Sequence, residues 1–170
     1  MGSALELPFQ AGSFDRVLAT QLLLHVPDPW QTLAEMKRVL APSGVMCVAE
    51  IDWGTLVVQS SESELGSRFS DLACKELRNG LIVRELPGRL RDLGFDDIVI
   101  RPEVEVALNL DAFYTWFVEP SLNHFKRIGA FSEAEADALL RGLEERARTG
   151  HYFSSRTFYT ILAAQSGKAS

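Results

Sequence analysis

Three histidines and two cysteines are all this chain offers of those two side chains, so reactive chemistry has few places to reside. His25 lies in the loop that feeds the Asp28-Pro29 helix start, where an imidazole either serves as a base or caps and orients the loop. Asp52 and Trp53 follow the apolar run Val45–Ile51, where a strand would end at its carboxyl edge. Ligands of open α/β sheets bind outside such ends, so Asp52 either contacts a ligand or caps the next segment. Phe113, Trp116 and Phe117 recur at helical spacing, as packing or as an aromatic wall for a ligand. His124 stands on the same segment, facing either solvent or a pocket. Arg156, between Ser155 and Thr157, suits a carboxylate, whether a substrate's or that of a surface ion pair. His151 receives no role. Cys47 and Cys74 lack metal spacing and read as reduced, largely buried thiols; no metal is expected. Glu144, Glu145, Arg146 and Arg148 read as a solvated helix face.

These residues need a scaffold, and the chain is long enough to build one. Its 170 residues suffice for a single domain over 1–170 with a sizeable core. A net charge of −6 without any Lys/Arg-rich run argues against a nucleic-acid partner. No apolar run approaches the roughly 20 residues that span a bilayer, and no secretory leader opens the chain, so a cytoplasmic location is expected.

The positioning elements follow from pattern. Phe14–Thr20 reads as a buried strand. Asp28-Pro29 starts a helix, with Asp as cap and Pro in the first position, and Ala41-Pro42-Ser43-Gly44 stops it. Val45–Ile51 is a second buried strand, parallel to the first through a right-handed crossover. Helices are expected over Glu62–Asn79 and Pro87–Leu93. A third strand runs over Ile98–Arg101, with Val104 and Val106 either extending it past Pro102 or forming a separate piece. Asp111–Gly129 is aromatic and helical. Ser132 with Glu135 is a capping-box signature for the helix that follows, ending at Gly150. Tyr152–Ala164 is the last strand, and Ser166–Ser170 should fray.

The pattern LPF-x-x-x-SFD-x-V, then LHV-x-DP and RVL-x-P-x-G, resembles small-molecule methyltransferases of the class I S-adenosylmethionine-dependent family. The ending HYFSSRTFYTILAAQ resembles their last strand. The likeness is weakest over Asp111–Thr149, expected to be a helical lid. It implies an α/β, partial Rossmann-like methyltransferase fold of about four strands with flanking helices. The family's glycine-rich cofactor loop and the acidic residue after its second strand find no match here. The chain is therefore expected to correspond to the C-terminal half of such a domain. Ser43 stands where the family's turn usually has glycine.

The resemblance also assigns roles. The tip of the first strand, Thr20 and Gln21, lies near the cofactor's sulfonium, and Leu5 covers one face of its adenine. His25 is the catalytic base, and Asp52, Trp53, Trp116, His124 and Arg156 face the substrate. The implied cofactor is S-adenosylmethionine, and the implied reaction is methyl transfer to a small molecule. The isolated half is expected to need a complementing N-terminal half or a second copy. An edge strand at Phe14–Thr20 makes homodimer formation the expectation. The alternative is a non-catalytic small-molecule-binding or dimeric assembly module derived from a methyltransferase.

Overall fold

The computed structural model describes residues 2–165, so the fraying expected of Ser166–Ser170 lies outside it. Four strands form one sheet in the order β1-β2-β4-β3. They are β1 (Phe14–Thr20), β2 (Leu40–Val58), β3 (Asp97–Ala107) and β4 (Ser154–Ala164). β1 and β2 are parallel, with Val17 opposite Met46 and Thr20 opposite Ala49. The register shifts between Phe14, opposite Leu40, and Arg16, opposite Val45. Ala41–Gly44, expected as a turn, lies within β2 and spans that shift. Gln59, just after β2, donates its N–H to Phe153, just before β4. Asp96, just before β3, donates to Ala164 at the end of β4. β4 therefore runs antiparallel to both neighbours, and the sheet is mixed.

The helices are α1 (Pro29–Val39), α2 (Ser63–Glu76), α3 (Leu86–Asp92), α4 (Glu119–Arg127) and α5 (Glu133–Arg148). A 3₁₀ turn at Ile82–Arg84 precedes α3, and a π-helical turn at Tyr114–Val118 leads into α4. The chain packs as two compact units, and the boundary falls within β2, β3 and β4.

The first unit comprises Met1–Asp52, Leu77–Glu103 and Thr157–Ser170. Its core gathers Leu33 and Met36 from α1, Met46 and Val48 from β2, Leu86 and Leu90 from α3, and Ile161 from β4. α1 starts as the sequence dictates: the Asp28 carboxylate accepts the Gln31 N–H at 2.9 Å, and Pro29 takes the first position. The LPF segment is pinned to this helix. Glu35 accepts the Leu7 N–H at 2.8 Å and binds Arg38 at 2.7 Å. Arg38 in turn donates to the carbonyls of Leu7 and Phe9. Arg38 first, then the Leu7 amide, hold the Glu35 carboxyl down to about 2.

Two expectations change here. β1 was expected to be buried, yet only Ala19 of its seven residues is, and Leu18 is 67% exposed. Among the described residues β1 is an edge, so its apolar composition meets no second neighbour. β2 is also far longer than Val45–Ile51, running through Asp52 to Val58. Ser43 is unstrained, because Gln21 is the one non-glycine with positive φ among the described residues. Gly44 is the demanding position of this stretch of β2: a Cβ there would meet Leu40 Cδ1 at 2.6 Å.

The second unit comprises Trp53–Glu76 and Val104–Arg156. Phe69 of α2 and Phe125 of α4 meet edge to face at 5.6 Å, and Phe131 stacks on Phe125 at 6.2 Å. Arg68 lies over the Phe131 ring at 4.1 Å and reaches Glu135 at 2.9 Å. The capping box of α5 is complete: Ser132 Oγ accepts the Glu135 N–H, and Glu135 accepts the Ser132 N–H. Gly66 lets α2 approach β2, since a Cβ there would stand 2.4 Å from the Val58 carbonyl oxygen.

Candidate functional site

In the first unit the expected cofactor and base residues sit around one turn. β1 ends at Thr20, and Gln21 takes a left-handed φ of 46°. This reverses the chain so that the Leu22 and Leu23 amides converge, an arrangement of N–H groups suited to an anion. Here the acceptor is internal. Glu50, fully buried on β2, accepts the Leu22 N–H at 2.8 Å and the Leu23 N–H at 2.7 Å through Oε1. Burial pushes its carboxyl up to about 7, against the pull of these amides and that of Leu24. Asn79 holds the other side of the turn. Its Nδ2 donates to the carbonyls of Leu23 at 2.8 Å and Val26 at 3.0 Å, and its N–H donates to that of Leu24.

Thr20, Gln21 and His25 are exposed on this clamped turn. The Gln21 N–H donates to Ala49 at 2.8 Å, and the His25 N–H to Leu22 at 3.0 Å. Leu5 is half-buried, and its carbonyl accepts from Gln31 Nε2 at 3.3 Å. Its neighbours Ala4 and Leu7 line an apolar cavity of about 270 Å³ with Phe9, Phe14, Val17 and Leu18. The residues present thus offer an apolar wall of the kind that suits a nucleobase face, and a polar rim at the end of β1. On that count they fit the adenosyl portion of the implied cofactor.

Asp52 is buried and accepts two hydrogen bonds from Arg84, at 2.9 and 3.1 Å. Glu50, Asn79 and Arg84 were not among the residues the sequence singled out. Glu50 left a readable signal, a lone charge inside VMCVAEI, which requires a partner when buried. Asn79 read only as a helix end, and Arg84 carried no signal.

In the second unit the structure brings three other expected residues together. Trp53 stacks against Phe117 at 4.4 Å and approaches Phe113 at 6.3 Å. Trp116 meets Phe113 edge-on at 5.5 Å. The Arg156 guanidinium lies 3.7 Å over the Phe113 ring and pairs with Glu105 at 2.5 Å. Trp116 and Phe117 lie on the π-helical turn, and Phe113 immediately precedes it. Trp53 is buried, whereas Trp116 is 54% exposed. His124 stands apart from the cluster's ring contacts, on the exposed side of α4, bonded to Glu76 at 3.2 Å and Arg127 at 3.3 Å. Cys47 and Cys74 are half-buried rather than largely buried. Among the described residues no helix is long and apolar enough to cross a membrane.

The strand order, the β1–turn–α1–β2 unit and the antiparallel β4 define the Rossmann-like class I methyltransferase fold. Comparison with known proteins agrees. Residues 1–48 match the model of the methyltransferase domain family. An uncharacterised 37.1 kDa protein from a Streptomyces fradiae transposon is 30% identical over 96% of this chain and 47% of its own length. An uncharacterised methyltransferase of Schizosaccharomyces pombe is 41% identical over 38% of this chain and 23% of its own length. A solved Bacillus halodurans protein assigned as a methyltransferase superposes with a TM-score of 0.55 at 15% identity, over 96% of this chain and 69% of that one. The chain spans less than half the length of the curated relatives it matches. The chain thus shares the fold of class I methyltransferases, and its first 48 residues are similar to the methyltransferase domain family.

Proposed function

We propose that this chain provides the substrate-facing part of a methyltransferase that moves a methyl group from S-adenosylmethionine to a small molecule. One observation carries the reading: within the segment that matches the family, the clamped turn after β1 presents Thr20, Gln21 and His25 on one rim. Bound S-adenosylmethionine supplies a methyl group on a sulfonium, transferred by in-line displacement without a metal. Alignment is then the main contribution, on the order of 7–11 kcal/mol. Leu5 lies against the adenine, and Thr20 and Gln21 line the donor's side of the rim. His25 accepts the proton that the acceptor atom loses. Asp52, held by Arg84, orients the acceptor. Within the second unit Trp116 offers an exposed aromatic face in the cluster that holds the buried Trp53 and Arg156, and His124 lies apart on α4.

The partner in this reading is a second copy, or a complementing N-terminal half, covering the edge of β1; nucleic acid and membrane are not partners. The protein works in the cytoplasm. The exposure of Leu18 and Phe14 on that edge also favours a second reading, a binding or assembly module without turnover.

Calorimetric titration with S-adenosylmethionine, and separately with S-adenosylhomocysteine, tests the first reading. Saturable binding near one site per chain supports it. Absence of heat with folded protein removes the stand-alone enzyme and leaves the module or a partner-dependent half.

A further inference from the structure

Glu50 is a fully buried acid whose charge serves no ion pair among the described contacts. An apolar residue would cost less at this place on β2, unless the carboxyl does something an apolar group cannot. What it does is geometric. The Gln21–Val26 segment turns through a left-handed residue, a conformation that strains a non-glycine. That turn leaves the adjoining Leu22 and Leu23 amides inside the protein without strand or helix partners. Glu50 Oε1 takes both, at 2.8 and 2.7 Å. Asn79 takes the carbonyls of Leu23 and Val26 from the other side. With donors and acceptors of the turn both satisfied, the strained Gln21 has no looser alternative.

We infer that Glu50 is a positioning residue, which fixes the turn so that Thr20, Gln21 and His25 form one rigid rim for the donor. This rests on the reading of that rim as part of the cofactor site. Glu50 touches neither donor nor acceptor; it acts through the Leu22 and Leu23 backbone. The carboxyl's oxygen, rather than its charge, is the operative feature, so a carboxamide of equal reach should replace it.

The test compares amide hydrogen exchange and S-adenosylhomocysteine binding in the full chain and in Glu50→Ala and Glu50→Gln. Glu50→Ala should lose at least tenfold of the protection at Leu22 and Leu23, while Leu139 and Leu143 of α5 keep theirs. It should lose at least tenfold in affinity as well. Glu50→Gln should restore both to within about threefold, a rescue that mere core filling would not give. Should Glu50→Ala not fold, Glu50→Asp, one methylene shorter, takes its place. Unchanged protection in the Ala or Asp variant would overturn the inference, as would lost protection with unchanged affinity. Absence of binding by the unsubstituted chain would sink the proposed function instead; the exchange comparison would still decide whether Glu50 holds the turn.

Discussion

A buried carboxyl raised to about 7 acts on the stability of the molecule as well as on its turn. In the unfolded chain Glu50 ionises near its ordinary 4.5; in the folded one it holds its proton to about 7. Between those values the folded state binds the extra proton, so stability falls as pH rises through this window. Roughly two and a half pH units at about 1.4 kcal/mol each give a loss of about 3–4 kcal/mol. Glu50→Gln should remove that slope, which urea denaturation at pH 5 and pH 7.5 would show. An equal slope in both proteins would refute the assignment. Glu35 and Glu135 act in the opposite sense, because both are held down to about 2. Their contribution is present above 4.5 and is lost as pH falls towards 2. Arg84 offers a further check. It is half exposed while its partner Asp52 is buried, so solvent screens much of the pair. Arg84→Ala should cost about 1 kcal/mol. A loss below the error of a chemical melt would mean that Asp52 draws its support elsewhere.

At the scale of elements, two local contacts have separable costs. Ser132→Ala removes one arm of the α5 capping box and should cost about 1 kcal/mol. Gly66→Ala drives a methyl into the Val58 carbonyl oxygen at 2.4 Å, and the backbone on both sides must shift. About 1–3 kcal/mol is expected, the range of an overpacked site. Thermal melts rank the two, and a Gly66→Ala protein as stable as its parent would show that α2 moves freely against β2.

The same elements show what sequence pattern carries. β1 and the cap of α1 were legible to the residue, because a short apolar run and an Asp-Pro start are local signals. The reach of β2 beyond Ile51 was not: Asp52 and Gly54 break the apolar pattern, and pairing with neighbours overrides it. β3 passes through Pro102 for a related reason, since an edge strand has one side on which a missing N–H costs nothing. The π-helical turn at Tyr114–Val118 had no signature, because its aromatics fit an ordinary helical spacing equally well. Of the site, the exposed residues were nameable and their clamp was not. Asn79 and Arg84 reach Leu23 and Asp52 across 56 and 32 residues, and no local pattern encodes such distances.

At the scale of the molecule, the exposed edge of β1 sets its behaviour in solution. Leu18 is 67% exposed, with Phe9 and Phe14 beside it, and the outer backbone groups of the strand have no neighbour in the sheet. An uncovered apolar edge is a template for pairing. For two copies to pair there antiparallel about a two-fold axis, each residue must face one that points to the same side of the sheet. A register centred on Arg16 would set two guanidinium groups opposite each other. A register centred on Val17 sets Arg16 against Leu18 of the second copy, which carries no like-charge penalty. Of these two, the Val17-centred register is the one proposed. Sedimentation equilibrium at micromolar concentration should show self-association, and Leu18→Lys should weaken it at least tenfold while leaving the monomer folded. Val17→Cys should crosslink with its own copy under mild oxidation, since directly opposed Cβ atoms lie within about 5.5 Å. Arg16→Cys should not. A monodisperse monomer, or equal crosslinking at both positions, would rule out this pairing and leave the edge to a segment of different sequence.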